Sequence, residues 1–291
     1  MWNLHRLRLL RELQLRGTIA EVARTLRFSP STVSHQLDKL ENEVGAVLLV
    51  PDGRRVRLTP YGNELALYAA KVMDLEEQAQ ARLDRQQPSR EVIHIAALES
   101  VARSILPQVV ARLRTEWPHL VLDVSVVPPE EGIFEVEARR FDLAVAEQYP
   151  GHTRPLLEGL DRVSLGGDEI VLAVADGVSG TTLGSVRDQP WVLEPEGTAA
   201  RAWALQQCRA AGFEPEVRFH AASLDIQMRL IAAGEAVGLL PGLAVTGNEI
   251  GVRVHPLPES PRRELFTTAR ESSAERPAIV AVRAALAYAF G

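Results

Sequence analysis

Two helix stops, Gly17 and Gly45, and two helix starts, Thr18 and Ser29, crowd into residues 17–45 and restrict that stretch to two short helices joined by a tight turn. Thr18 is placed to cap Ile19 to Leu26, with Glu21 at the third helical position to complete a capping box. Arg27 and Phe28 make the turn, and Ser29 caps a third helix with Pro30 at its first position, where a missing N–H costs nothing. Upstream, Leu4, Leu7, Leu10 and Leu13 recur every three residues and predict a helix ended by Gly17. Downstream, Val47 to Leu58 reads as a hairpin whose tip, Pro51 Asp52 Gly53, leads into Arg54, Arg55 and Arg57. By pattern this is a winged helix-turn-helix.

The third helix sets Val33, Leu37, Leu40 and Val44 on one stripe and leaves Ser31, Thr32, His35, Gln36 and Lys39 largely on the other faces. Charge follows the same division. The chain has a net charge of −6, yet residues 1–58 hold ten Lys or Arg against six Asp or Glu, a local +4 that leaves −10 on the remainder. A basic head on an acidic body suits a polyanion bound at one end only.

Thr59 Pro60 Tyr61 Gly62 opens a helix without a breaker up to Gln87, roughly 40 Å at about 1.5 Å per residue. Leu65, Tyr68, Val72, Leu75 and Ala79 alternate by three and four along it, a coiled-coil seam for dimerisation; the competing reading is an amphipathic helix packed on its own head. From Glu91 short aliphatic strands alternate with helices. Strands are predicted at Val92–Ala97, Val121–Val127, Leu143–Ala146, Ile170–Ala175, Trp191–Leu193, Glu216–Phe219, Val237–Leu240 and Leu265–Ala269. Helices are predicted at Ser100–Glu116, Glu130–Arg139, Ala199–Ala211, Leu224–Ala233 and Ala278–Phe290, so the body is of the α/β class.

Composition removes several classes. Hydrophobic residues make up 46% and charged residues 24% of 291 residues, with no apolar run long enough for a bilayer, which points to a globular protein of two or more domains and no membrane partner. The first residues lack an apolar signal core, so secretion is not expected. Cys208 is the single cysteine and the seven histidines lack metal-ligand spacing, which argues against disulfide scaffolds, zinc modules and two-cysteine redox switches.

The chain resembles the LysR-type transcriptional regulators. In the head the resemblance rests on Ile19 Ala20 Glu21 Val22 Ala23, Leu26, Phe28 Ser29 Pro30 Ser31 Thr32 Val33 Ser34, Leu37, Leu40 Glu41, Val44 Gly45, and Leu58 Thr59 Pro60 with Gly62. In the body it rests on Leu106 Pro107, Trp117 Pro118, Phe141 to Val145, Pro190 to Leu193, Ala211 Gly212 Phe213, and Ala233 to Pro241. The resemblance implies a DNA-binding domain at 1–58, a linker helix and hinge at 59–89, and an effector domain at 90–291 similar to two-lobed periplasmic solute-binding proteins. Lobe I would comprise about 90–163 and 267–291, lobe II about 164–266. It also implies a cytoplasmic protein, dimeric or tetrameric, acting on double-stranded DNA at an imperfect dyad operator and on RNA polymerase, with no cofactor and no metal beyond a small-molecule effector of unknown identity.

Two positions depart from the family pattern. Leu49 Val50 Pro51 stands where Phe-x-Arg is common, and His35 where Arg is often found, so the operator preference is expected to be unusual.

The candidate DNA-facing residues are Ser29, Pro30, Ser31, Thr32, Ser34, His35, Gln36 and Lys39, with Arg54 and Arg57 from the wing. Gln36 has the chemistry to pair bidentately with adenine, His35 and Ser31 can donate or accept, and the Thr32 methyl can touch thymine. Ser34 suits a phosphate contact or a local backbone bond, and each of these residues has a solvated surface as its competing reading. Arg54 matches the family position that reaches toward the minor groove. Arg55 and Arg57 are read as alternating in direction, at most one facing the way Arg54 does.

The candidate effector contacts lie where strands end and helices begin: Glu99, Ser100 and Val101, Pro128, Glu194, Thr198 and Arg201, and His220 and Ser223. Ser100 falls at a family position that commonly binds the effector. Thr198 and Ser223 read equally well as N-caps, and Arg201 as a partner of Glu194 or Glu196. Glu99, with Glu194 opposite, would select a cationic or hydrogen-bond-donating effector; solvent exposure is the competing account. No catalytic residues are assigned, because nucleophile elbow, phosphate loop and dinucleotide glycine fingerprint are all missing from the sequence. An α/β enzyme or a solute-binding protein with an accessory head remains the alternative.

Overall fold

The structure, a computed structural model, describes residues 2–53, 55–84, 91–245 and 251–291. They fall into two compact units, Met1–Gln87 and Pro88–Gly291.

In the first unit, helices α1 (Leu4–Arg16), α2 (Ile19–Leu26) and α3 (Pro30–Val44) precede a hairpin of β1 (Leu49–Asp52) and β2 (Arg55–Leu58), and a long helix α4 (Pro60–Asp84) follows. The Asn3 side chain accepts from the Arg6 N–H to cap α1, and Gly17 in the left-handed region closes it. Thr18 accepts from the Glu21 N–H, but the Glu21 carboxylate turns to Arg24 at 2.6 Å instead of reaching back. The expected capping box is therefore one-sided, the cation three residues on having captured the carboxylate.

Leu7, Leu10 and Leu13 of α1 meet Val22, Val33, Leu37 and Leu40, and Leu48, Leu58, Leu65, Ala66 and Ala69 close the core from the wing and α4. Each large side chain buried there contributes about 1.5–3 kcal/mol. Glu41 ties the wing to α3 by accepting from the N–H groups of Leu48 (2.7 Å) and Leu49 (3.0 Å).

The seam on α4 needs correction at its first position. Leu65 belongs to the head core, while Tyr68 (47% exposed) and Leu75 (64%) face solvent, Ala79 is exposed and Val72 half-buried. Exposed Tyr61 and Leu83 extend this apolar line in both directions. The expected continuation to Gln87 lies outside the described residues.

The second unit holds β3 (Glu91–Ala97), α5 (Glu99–Ser104), α6 (Leu106–Glu116), β4 (Leu120–Val126), α7 (Pro129–Glu137), β5 (Leu143–Gln148) and β6 (Val163–Ala175). It continues with β7 (Trp191–Leu193), α8 (Ala199–Ala210), β8 (Val217–His220), α9 (Leu224–Ala232), β9 (Gly238–Pro241), β10 (Val252–Pro256), β11 (Arg262–Ala269) and α10 (Pro277–Phe290). A mixed sheet runs β10-β6-β11-β5-β3-β4, with β9 also paired to β6, and β7 and β8 form a separate parallel pair. β6 serves two lobes. Its first half pairs with β11, and its second half with β9 and β10. One core gathers Ile93, Ile95, Val101, Leu143, Leu265 and Ile279 under α6 and α10; another gathers Ile170, Leu172, Trp191, Trp203 and Phe213 under α8.

Three local expectations change. The helix expected over Ser100–Glu116 is two helices broken at Ile105, because Pro107 has no N–H to bond the Arg103 carbonyl one turn back and its ring clashes with that carbonyl. β6 begins at Val163, its glycine-containing start drawn into the sheet by β11. The edge strand β10 is an addition to the predicted elements.

Gly62 is where α4 passes the wing. A Cβ built there would lie 2.3 Å from the Leu48 carbonyl oxygen. Gly62→Ala should therefore destabilise the chain by roughly 1–3 kcal/mol in urea unfolding, whereas an unchanged midpoint would contradict this packing.

Candidate DNA face and ligand cleft

At the start of α3 the Ser29 hydroxyl accepts from the Thr32 N–H at 3.0 Å and lies 2.8 Å from the hydroxyls of both Ser31 and Thr32. These hydroxyls crowd the positive end of the helix, a suitable place for phosphate. Ser29, Pro30, Ser31, Thr32, His35 and Lys39 are exposed, and Ser34 and Gln36 half-buried. Gln36 is already engaged: its Oε1 accepts from Arg6 Nε at 2.9 Å, and Arg6 also pairs with Glu43. Bidentate contact with adenine would have to use the second lone pair of that oxygen or displace Arg6 from it. Arg54 lies outside the described residues. Arg55 and Arg57, two residues apart on β2, are both exposed and share a face, which corrects the expectation that they point in opposite directions.

In the second unit the ends of β3, β4, β7 and β8 surround a cavity of about 500 Å3. Of the expected contacts, Glu99, Ser100, Pro128, Glu194, Thr198 and Ser223 line it. Three do not. Val101 is fully buried in the core beneath α5. Arg201 turns away, donating to the Glu194 backbone carbonyl at 3.1 Å and approaching His220 Nδ1 at 2.9 Å, and His220 is held by that contact outside the lining. The expected pairing of Arg201 with the carboxylate of Glu194 or Glu196 is replaced by this backbone contact.

Glu99 is not a solvent-exposed acid. Its carboxylate accepts from the Ser223 hydroxyl (3.1 Å) and from the N–H groups of Leu224 (3.0 Å) and Asp225 (3.3 Å). A carboxylate from one lobe thus caps α9 of the other, and Ser223, although at the N-cap position, gives its hydroxyl to Glu99 instead of capping the helix itself. Thr198 does act as an N-cap, accepting from the Arg201 N–H at 3.3 Å.

The floor of the cleft was missed by sequence reasoning. Arg263 is 3% exposed and donates to Asp168 at 2.8 Å, to Ser100 Oγ at 2.7 Å and to Glu147. Burial works against its charge, but the carboxylates of Glu147 and Asp168 outweigh burial and hold the guanidinium ionised. Arg154, beside it, donates to Glu130 at 2.8 Å and to the Glu147 carbonyl at 2.6 Å. A usable signal existed: Arg263 stands two residues before Leu265, so it shares that leucine's inward face, where a charge demands partners.

Glu194 is half-buried in the wall of the cavity. Burial, reinforced by repulsion from Glu147, pushes its carboxyl up to about 7 against the opposing effects of the Thr198 hydroxyl and Arg263. Cys208 is fully buried on the inner face of α8, and burial pushes its thiol up to about 12.

Residues 4–63 match the family described as bacterial regulatory helix-turn-helix protein, lysR family, and residues 86–291 match the LysR substrate binding domain. The transcriptional dual regulator GltC of Bacillus subtilis is 30% identical over 244 residues, covering 82% of this chain and 80% of GltC. The transcriptional activator IlvY of Salmonella typhimurium is 29% identical over 236 residues, 79% of each chain. These relatives are regulators, not enzymes. Among solved structures, a full-length OxyR variant from Pseudomonas aeruginosa superposes with a TM-score of 0.69 at 19% identity, covering 98% of this chain and 95% of its own. CbnR, a LysR family transcriptional regulator, does so with a TM-score of 0.57 at 17% identity, covering 99% of both chains.

A carboxyl raised from 4.5 to about 7 gives stability that is whole below pH 4.5 and lost as pH rises through 7. Glu194→Gln lacks this titration. Relative to the variant, the parent chain should lose up to roughly 3 kcal/mol between pH 4.5 and pH 8 in urea unfolding; parallel stability curves would contradict the burial assigned to Glu194.

Proposed function

Because this chain belongs to the LysR family of bacterial transcriptional regulators, binding DNA through its helix-turn-helix head and carrying a substrate-binding domain, we propose that a small molecule in the cleft sets its action at its target genes. The observation that carries this reading is the cavity of about 500 Å3, walled by helix N-termini from both lobes. Apolar walls with a few convergent polar groups are what a ligand site needs. Ligand binding would bias the lobes toward one arrangement, and the bias is limited to the ligand's differential affinity for the two.

The exposed line Tyr61, Tyr68, Leu75 and Leu83 on α4 supports pairing with a second copy, which doubles the basic head. A dimer would read an imperfect dyad, and two dimers would form the tetramer usual in the family, bending DNA differently as the lobes move and so altering access for RNA polymerase. Such work takes place in the cytoplasm, where the DNA is.

Protection mapping on DNA upstream of its own and adjacent genes supplies the operator. On that operator, Arg55→Ala with Arg57→Ala should make the slope of log affinity against log salt shallower by about 1.8, close to 0.9 for each phosphate that is no longer neutralised. An unchanged slope would remove both arginines from the DNA face.

A further inference from the structure

We propose that the ligand of this cleft is an organic cation, an amine with an apolar body, seated against the Glu194 carboxylate. This rests on the reading of the cleft as the effector site. Four carboxylates line the cavity, those of Glu99, Glu130, Glu147 and Glu194, against two arginines, Arg154 and Arg263. Both arginines are already committed. Arg263 lies between Glu147 and Asp168, and Arg154 pairs with Glu130. Glu99 is committed to the N-terminus of α9. Glu194 is left as the lining carboxylate with no ion pair among the described residues.

The groups that face Glu194 reinforce its preference for positive charge. Thr198, the N-cap of α8, offers a hydroxyl, Glu147 and Glu130 repel, and Arg263 attracts while held by its own acids. Arg201 donates a hydrogen bond to the Glu194 backbone carbonyl and lies against His220, not against the carboxylate. Tyr149 below is fully buried, and burial followed by the Glu147 charge raises its phenol well above the ordinary range, so it stays neutral. A half-buried carboxylate in this setting gains a charge-assisted hydrogen bond when an ammonium arrives.

An anion meets the opposite situation. The α9 N–H groups of Leu224 and Asp225 that would hold a carboxylate are filled by Glu99, and at α8 the N–H of Arg201 is taken by the Thr198 hydroxyl. An incoming carboxylate would have to displace Glu99 or settle on the α8 N–H groups of Ala199 and Ala200, in a cavity that also holds Glu194, Glu147 and Glu130. Leu98, Val126, Val127, Pro128, Pro195 and Ala222 supply the apolar wall for the body of the ligand.

The test is calorimetry on the full chain with n-hexylamine, n-hexanol and hexanoate at pH 6 and pH 8, in the parent chain, in Glu194→Gln, and in Ala222→Trp, which obstructs the cavity with an indole on its wall. Hexylamine should bind in preference to the other two, and about tenfold more tightly at pH 8 than at pH 6, because Glu194 must be ionised to receive it. Glu194→Gln should lose roughly tenfold or more at pH 8 and become insensitive to pH. Hexanoate binding that Ala222→Trp abolishes, or no hexylamine binding at about 1 mM, would overturn the cation assignment and leave the cleft as the ligand site. Hexylamine binding that survives Ala222→Trp would overturn the cleft reading, and the inference with it.

Discussion

The buried guanidinium of Arg263 is the point on which the ligand-binding domain depends. It joins β11 to Asp168 on β6, to Glu147 on β5 and to Ser100 at the start of α5, so four elements meet at one charge 3% exposed. Asp168 is fixed in turn, its second oxygen accepting from the Leu243 N–H at 3.0 Å. Such a node is stable only while complete; loss of one partner leaves an uncompensated buried charge at about 3–5 kcal/mol. It forms at the level where β6 passes from one lobe to the other, and it sets the floor against which any ligand must pack.

Its electrostatic consequence reaches the whole cavity. Since the positive charge of Arg263 is spent on its own carboxylates, the walls are governed by Glu99 and Glu194. Glu99 has a helix N-terminus to satisfy it, whereas Glu194 has a hydroxyl and two repelling neighbours. Two acids that look alike in sequence therefore serve opposite roles, one closing the lobes together and the other left for the ligand. Cys208 lies outside the cavity lining, buried in the core around Trp191 and Trp203.

The head is largely legible in the sequence because its signals are local. Ser29, Pro30 and Gly45 act within one or two turns of themselves, and the helices begin and end where those residues place them. The contact between Arg6 and Gln36 is not legible, since it joins residues 30 apart across a tertiary interface. Leu65 fits the repeat of an exposed seam as well as it fits the core, and periodicity cannot choose between two burial partners on one helix. Strand parity alone puts Arg55 and Arg57 on one face, against the alternation expected of them. In the cleft, the loops are found because ligand loops follow strand ends, but the side chains pointing into it depend on pairing between β5, β6 and β11. That pairing brings Glu147 and Arg263 together from 116 residues apart.

The free chain carries its own anion across the cleft, the Glu99 carboxylate on α9, and the whole electrostatic account of the cavity turns on that contact. Amide hydrogen exchange at Leu224 and Asp225 reads it directly. In the parent chain both amides should be protected, and Glu99→Ala should raise their exchange by on the order of tenfold while amides in the β3 and β5 core keep their rates. Equal exchange at Leu224 and Asp225 in the two proteins would contradict it.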